Sequence, residues 1–399
     1  MKRYIFKGED ERLDSIVNKA IGLWVDTFDE SAISVYTSLD DYLYKVQQVI
    51  ADLLSRRLKE WQQNDGDIIF SQLQITDKIE SKTDEPHKTI LVNAKMVKET
   101  YNGVNFDDYI FLNISAKNTK FKDCRFRNAT FLFCDLRYAE FDGGTFERAT
   151  IAWCDLYRAY FHGLIRFAKA SISSSSLNNA YFASSVLLRK KNFKDHSILQ
   201  QNADEYRIFL TLCECHRKGN DRIRNDEGKR GEAKIEYAVH NRYAEVELIY
   251  KSLSSTFSSN GFSNDSNWAY VQGKIAERKE LYNQLCSCKN WKEKLTLSSK
   301  WLINFISHWL FGYGEGLHNI CLTYLVLVLT FTIVYLYNCD ITNFFQAFTV
   351  SLKNMIGVSS EVITEKENIW LSLLNLIQTT VGILLTGIFG FVLGNKIRD

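Results

Sequence analysis

The residues best suited to chemistry lie near the end of the chain, and they suit the handling of an ion rather than the making of bonds. Met355-Ile356-Gly357-Val358-Ser359-Ser360-Glu361 lies between two apolar stretches. A glycine that frees the backbone, two hydroxyls and a carboxylate in such a place offer oxygen ligands to a monovalent cation. The next apolar run carries Asn375, Gln378, Thr379 and Thr380 on about one turn, where they either line a path or hydrogen-bond neighbouring helices. No serine–histidine–aspartate set, phosphate loop, dinucleotide fingerprint or HExxH motif is present, and the seven histidines stand in unrelated contexts. No enzyme is expected. Cys213-Glu214-Cys215-His216 and Cys286-Ser287-Cys288 carry metal-ligating atoms, but one residue separates their cysteines where zinc hairpins have two. Neither a metal nor another cofactor is expected, the ligand being the permeant cation itself.

Two apolar runs must position these residues. Ile320 to Tyr337 is uncharged and of bilayer-spanning length, and Ile369 to Leu393 is a second such run. Lys292, Lys294 and Lys300 precede the first, and Lys396 and Arg398 follow the second. The loop between is acidic, with Asp340, Glu361, Glu365 and Glu367 against Lys353 and Lys366. This asymmetry places both chain ends in the cytoplasm and the loop outside, so the protein is expected in the cell's inner membrane with the lipid bilayer as its first partner. Asn343 to Asn354 is apolar enough to dip back as a half-helix, which is tolerated at that depth only beside protein or a water-filled cavity. Before the first span, Trp301 to Leu310 reads as an aromatic helix lying in the headgroup layer. Phe311-Gly312-Tyr313-Gly314-Glu315 reads as a turn.

Upstream, the period changes. Phe121, Phe126, Phe131, Leu136, Phe141, Phe146, Ile151, Leu156 and Phe161 recur every five residues. Two positions before each stands a small residue, such as Cys124, Ala129, Cys134, Ala139 or Gly144. The register slips by one near His162-Gly163 and resumes at Ile172, Leu177, Phe182 and Leu187. A five-residue period cannot keep one face of an α-helix. Arg137, between the inward positions, is expected to point outward and contribute almost nothing to stability. Between Tyr101 and Lys190 there are 12 basic and 8 acidic side chains, which argues against mimicry of DNA, and the formal net charge of +2 gives no field for nucleic acid.

The remaining segments are less specific. Leu39 to Trp61 carries the stripe of an amphipathic helix. Strand-like Ile68-Ile69-Phe70 and Thr89-Ile90-Leu91-Val92 follow. Tyr243 to Leu285 reads as a helix pair around Gly261, similar to one tetratricopeptide unit and equally to a generic helical hairpin. Nine scattered cysteines and the charged start at Met1 suit reduced, cytoplasmic surroundings.

Two resemblances join these readings. The five-residue units, as in Cys124-Arg125-Phe126-Arg127-Asn128, resemble the pentapeptide-repeat family, which implies a right-handed quadrilateral β-helix. The two spans with the half-helix, and Gly382 to Arg398 in particular, resemble the two-transmembrane pore of the potassium-channel superfamily. Family filters read Thr-Val-Gly-Tyr-Gly. Only Gly357 matches their first glycine, Ile356 stands for valine and Ser359 replaces the second glycine. The resemblance implies a homo-oligomer, four copies around one axis, with Met355 to Glu361 as an atypical filter and Asn375, Gln378, Thr379, Gly382 and Thr386 lining the inner helix. With Pro86 the only proline, Gly382, Gly387 and Gly390 are the candidate gate hinges. The expected protein is therefore multidomain. It has an α+β part (1–100), a pentapeptide-repeat β-helix (101–192), a helical region (193–298), an interfacial helix (299–316) and a two-helix pore module (317–399). Its expected function is a cation channel, potassium being one candidate ion, gated through cytoplasmic domains that answer to a protein or small-ligand regulator. The rival is a membrane-anchored scaffold that conducts nothing.

Overall fold

The computed structural model describes residues 2–28, 38–65, 72–75, 88–96, 99–217, 225–314, 317–338, 343–358 and 369–398. The chain divides into two compact units, Met1–Asn283 and Gln284–Asp399. The first opens with helices α1 (Glu11–Val25) and α2 (Leu39–Asp65). Short strands follow: β1 (Gln72–Ile75), β2 (Thr89–Val92), β3 (Thr100–Asn102), β4 (Tyr109–Leu112), β5 (Lys120–Lys122) and β6 (Thr130–Leu132). They continue through β7 (Glu140–Thr145), β8 (Thr150–Ala152), β9 (Tyr160–Arg166), β10 (Ser171–Ser173), β11 (Tyr181–Phe182) and β12 (Val186–Leu187). Helices α3 (Ala203–Arg217), α4 (Asn225–His240), α5 (Arg242–Ser259) and α6 (Ser263–Ser287) come next. The strand-like run at Ile68 to Phe70 lies outside the described residues.

The strands wind into a β-solenoid of about 5 turns. Every pairing is parallel, and Ile110 lies beside Thr130 as Thr130 lies beside Thr150, so one turn takes twenty residues. The slip foreseen at Gly163 is a bulge. Pairing of β7 with β9 shifts between Asp142 and Gly144, and Thr150 then meets Ser171.

Equivalent side chains stack directly over one another inside the coil. Phe121, Phe141, Phe161 and Phe182 form one column with ring centroids 5.0, 4.7 and 4.8 Å apart, and Phe106, Phe126, Phe146 and Phe167 form another at 5.3, 4.8 and 4.9 Å. Offset stacking adds to the burial energy of each ring. Between columns the chain turns through left-handed corners two residues after each large side chain: Asn113 (φ 56°), Asp123 (50°), Asn128 (56°) and Phe133 (54°). A β-carbon there costs of order 1–2 kcal/mol per residue, which asparagine and aspartate soften and the stacked core offsets. At Gly144 (φ 103°) an added Cβ would stand 2.1 Å from the Cys124 carbonyl oxygen, so only glycine fits. Cys124, Cys134 and Cys154 are buried free thiols filling small positions. Burial pushes the Cys124 thiol up to about 11, which keeps it protonated and inert.

The solenoid is not a bare rod. Ile90, Val92, Ile110, Leu112 and Leu132 point outward from the β2–β4–β6 face and are buried with Val17, Trp24, Leu54 and Leu212 of α1, α2 and α3. The N-terminal segment thus shares a core with the repeats. At the other end α5 and α6 cover the last turn: Thr256 Oγ1 donates to the Phe182 carbonyl, Asn260 Nδ2 to the Val186 carbonyl, and Arg189 pairs with the buried Asp265. Such a cover removes an open sheet edge. Arg137 lies outside the coil, as expected, but is not free in solvent. Its side chain is only 21% exposed, forks onto both Asp135 oxygens (2.7 and 2.6 Å) and lies 3.7 Å from Asp155.

Candidate functional site

The second unit contains α7 (Trp291–Phe311), a tight turn over Gly312–Gly314, α8 (Leu317–Asn338), α9 (Phe344–Met355) and α10 (Ile369–Arg398). Two helices, over His318–Tyr337 and Ser372–Gly394, are long and apolar enough to cross a membrane. Only 28% and 24% of these stretches are buried within the protein. The core helix of a water-soluble domain would bury most of such a sequence. Here Leu325, Ile333, Leu376, Ile383 and Leu384 remain exposed.

Helix α9 owes its limits to its caps. The Asn343 side chain accepts the Phe345 amide (3.0 Å), and at the far end Gly357 takes φ 80° while Val358 N–H bonds Lys353 O and Gly357 N–H bonds Asn354 O. This pair of bonds closes a helix around a left-handed glycine. Gly357 therefore has a local role as the cap of α9. Val358 follows it exposed, and Ser359, Ser360 and Glu361 lie outside the described residues.

Short α9 is wedged between the two long helices. Ala347 and Val350 are buried against Tyr335 and Phe331, while Met355 is buried with Val328 and Leu385. A Cβ on Gly382 would stand 2.1 Å from the Met355 carbonyl oxygen, so the end of α9 rests on the backbone of α10 midway along its apolar run. Gly382, expected as a hinge and pore-lining residue, serves this close approach. Gly387 and Gly390 have open space where a side chain would be.

Polar groups are gathered inside this wedge. Gln378 is 0% exposed, its amide donating to Ser351 O (2.9 Å) and Ser351 Oγ (2.8 Å) and accepting from Tyr335 OH (2.6 Å). Ser351 Oγ donates onward to Val328 O (2.9 Å), and Asn354 Nδ2 donates to Tyr335 OH (3.2 Å). Gln378 thus makes the helix contact that was the alternative to pore lining. Tyr335, Ser351 and Asn354 were missed, although a serine and an asparagine three apart in an apolar half-helix are a readable polar stripe. The Oδ1 atoms of Asn354 and Asn375 are buried without a hydrogen-bond partner among the described residues.

The rest of α10 sorts by face. Gln378, Gly382, Leu385 and Val392 turn inward, and the exposed side opposite carries Leu376, Thr380, Ile383, Gly387, Gly390 and Gly394. Thr379 and Thr386 stand at the border of that open side, Thr379 half-buried and Thr386 exposed. Their neighbour Thr380 and Thr386 itself bond back to the carbonyls of Leu376 and Gly382 (2.8 and 2.9 Å), which satisfies their hydroxyls within the helix. Ile356 and Met355 divide similarly, the first exposed and the second buried.

The turn at Gly312 (φ 53°) and Tyr313 (φ 57°) ends α7, with Tyr313 OH donating to Asn304 Oδ1 at 2.6 Å. Among the described residues no group of three or more histidine, cysteine or carboxylate side chains is placed to hold a metal. Cys215 is buried and Cys286 exposed. No curated protein matches the chain. Residues 117–151, a stretch well short of half the chain, match the family described as pentapeptide repeats (8 copies), and the β-solenoid of this protein is accordingly built from pentapeptide repeats.

Proposed function

We propose that this protein is a homo-oligomeric cation channel, four chains around one axis, of potassium-channel-like architecture and with an atypical filter. The observation that carries the reading is α9, whose carbonyl end stops against Gly382 midway along α10. A helix of this length covers roughly 18 Å, well short of a hydrocarbon core of ~30 Å. Read as re-entrant, it leaves irregular backbone at mid-depth, tolerated only against protein or a wet pathway. A bare anchor has no use for such a segment. The carbonyl end of a helix carries partial negative charge and favours a cation placed before it.

One pair of spans encloses no path, so copies must assemble. The open side of α10, with Thr380, Gly387, Gly390 and Gly394 and with Thr379 and Thr386 at its border, is the surface they would share or line. The inner cell membrane, cytoplasmic termini, a quadrilateral section of the solenoid and gating by the cytoplasmic unit complete the proposal. The rival is the non-conducting scaffold, favoured by Ser359 where a second filter glycine would stand.

The test is current from the purified full chain in planar bilayers. Expected are a reversal potential that follows the cation under a KCl gradient, weak discrimination between potassium and sodium under bi-ionic conditions, and loss of current in Gly357→Val. Well-assembled protein that passes no current under any condition would establish the scaffold instead, and anion preference would overturn the charge argument.

A further inference from the structure

Helix α7 carries an apolar surface that the channel reading leaves unused. Trp291, Leu295, Leu302, Ile306 and Trp309 recur at steps of three, four and seven residues. At about 100° per residue they fall within roughly 60° of arc, so they make one stripe along a helix about 30 Å long. All five are 41–70% exposed. Beside the stripe Phe305 stacks on Trp301, with ring centroids 5.3 Å apart. The opposite side is where the helix is held. Asn304 is buried there, and α8 grips the last turn of α7: Thr323 Oγ1 donates to Leu310 O at 3.1 Å and Asn319 Nδ2 to His308 O at 3.4 Å. The stripe therefore faces away from the contacts that tie α7 to the start of the first candidate span.

The sequence pattern marked only Trp301 to Leu310 as an aromatic helix, and the structure carries the helix back to Trp291. The added turns bring charge. Lys292 and Lys294 fall about 80° to either side of the centre of the stripe, while Glu293 and Lys300 lie behind it. Lys292 Nζ stands 5.8 Å over the Trp291 ring. Three lysines against one glutamate leave α7 positive. A stripe of this kind is covered either by a second helix or by a bilayer surface. Paired helices favour aliphatic side chains along the seam, whereas this one has tryptophan at both ends, and a parallel copy would bring its two lysine edges together, like charge against like. The headgroup layer suits the same residues, since tryptophan rings settle at that level and lysine stems run along it to place their ammonium groups among phosphates.

We propose that α7 binds along a bilayer surface rich in anionic lipid, its stripe at the boundary of headgroups and acyl chains and Lys292 and Lys294 on lipid phosphates. The inference rests on the membrane reading of α8 and α10, and it adds to that reading a preference for lipid charge. It also gives the lipid a mechanical handle. Through Thr323 and Asn319 the lipid-bound helix fixes where α8 begins.

Hydrogen exchange read by mass spectrometry tests it on the full chain, in nanodiscs of phosphatidylcholine alone and of phosphatidylcholine mixed with phosphatidylglycerol. Amides of α8 and α10 should be protected in both. Those in the first half of α7 should exchange about tenfold more slowly in the anionic discs, since each lysine at such a surface contributes severalfold. Lys292→Glu together with Lys294→Glu should remove that difference and leave α8 and α10 protected. Leu302→Glu, which sets a charge in the stripe at an exposed position, should return α7 in the anionic discs to the faster rate. Exchange of α7 at one rate in the two lipids would overturn the proposal, and a rate that is slow in both would mean that a second copy covers the stripe. So would an unchanged lipid difference in either variant. Fast exchange throughout α8 and α10 is a separate outcome, one that sinks the membrane reading itself.

Discussion

The two units of this protein differ in what they leave exposed and in how polar their buried contacts are. In the solenoid the large apolar side chains are hidden, with Phe121, Phe126, Phe141, Phe146 and Phe161 all nearly inaccessible. In the second unit many large apolar side chains of α8 and α10 face outward, Leu325, Ile333, Leu376, Ile383 and Leu384 among them, while polar Gln378, Ser351, Asn354 and Thr332 are buried beside apolar Val328, Met355 and Leu385. The first unit leaves few large apolar side chains exposed along its coil, and the second leaves many along its two long helices. Water drives the rings inward, whereas under the proposed membrane-spanning reading hydrocarbon around α8 and α10 would leave packing and hydrogen bonding as the main rewards for burial. The contrast teaches that a helix too apolar for water can still be specified, through a few buried polar contacts and one close backbone approach.

The sharpest way to break the comparison is to remove one ring from one of the columns. Phe146 lies between Phe126 and Phe167 in its stack and is 1% exposed. Phe146→Ala should cost ~3–5 kcal/mol, because the rigid coils above and below cannot collapse onto the cavity. Hydrogen exchange on the full chain should show the loss in β5 to β9 and none in α8 to α10. In the second unit the matching change adds atoms. Gly382→Val must displace the Met355 carbonyl, and overpacking of this kind costs ~1–3 kcal/mol. Cysteine cross-linking between α9 and α10 should fall in this variant, while Gly390→Val, at an open position, should leave it unchanged. Equal effects at the two glycines would mean that α9 does not rest where described.

How much of this was legible in the sequence depends on how local the cause is. The five-residue period was readable because each unit repeats one requirement, a large and a small inward residue, and Phe131 over Phe111 at 4.7 Å is its direct result. The left-handed corners were only half readable. Asn113 and Asn128 advertise them, but Phe133, Arg148 and Trp153 adopt the same φ with no such signal, held there by the coil rather than by propensity. The outward burial of Ile110, Leu112 and Leu132 was missed, although an unbroken apolar run such as Tyr109-Ile110-Phe111-Leu112 signals a strand covered on both faces. Gly357 was read for its freedom of φ, and the helix cap that explains that freedom becomes visible only with the bonds to Lys353 and Asn354. Tyr335 meets Gln378 across 43 positions of sequence, and no local pattern announces such a pair.

That pair supplies a smaller test. Gln378→Leu keeps the size of the side chain but leaves Tyr335 OH and Ser351 without their shared partner. If the helices span a membrane as proposed, such bonds are worth roughly 0.6–2 kcal/mol each. The variant should lower the unfolding temperature of the second unit modestly, and Gln378→Glu should lower it further by placing a charge there. If Gln378→Leu instead stabilises the protein, the buried network is not what holds α9 between the long helices.

The smallest expected effect sharpens the comparison from the first unit, where a buried polar pair breaks the rule that water sets. Tyr206 OH donates to Glu245 Oε2 at 2.8 Å, joining α3 to α5. Burial raises the Glu245 pKa above the ordinary carboxyl value, and hydrogen bonds from Tyr206 and Asn178 counter only part of that rise. Below the ordinary value both folded and unfolded chains hold the proton, and the residue costs nothing. As the pH climbs, the unfolded chain ionises first, so the folded chain binds more protons and stability falls with rising pH until the raised pKa is passed. Glu245→Gln keeps the acceptor for Tyr206 and removes the ionisation. Denaturant unfolding followed from acid to neutral pH should therefore show a downward slope in the native protein that the variant lacks, with the two converging at the acid end. A steeper loss in the variant at neutral pH would mean that the carboxylate is stabilising, and that this pair, like the stacked rings, belongs where it is buried.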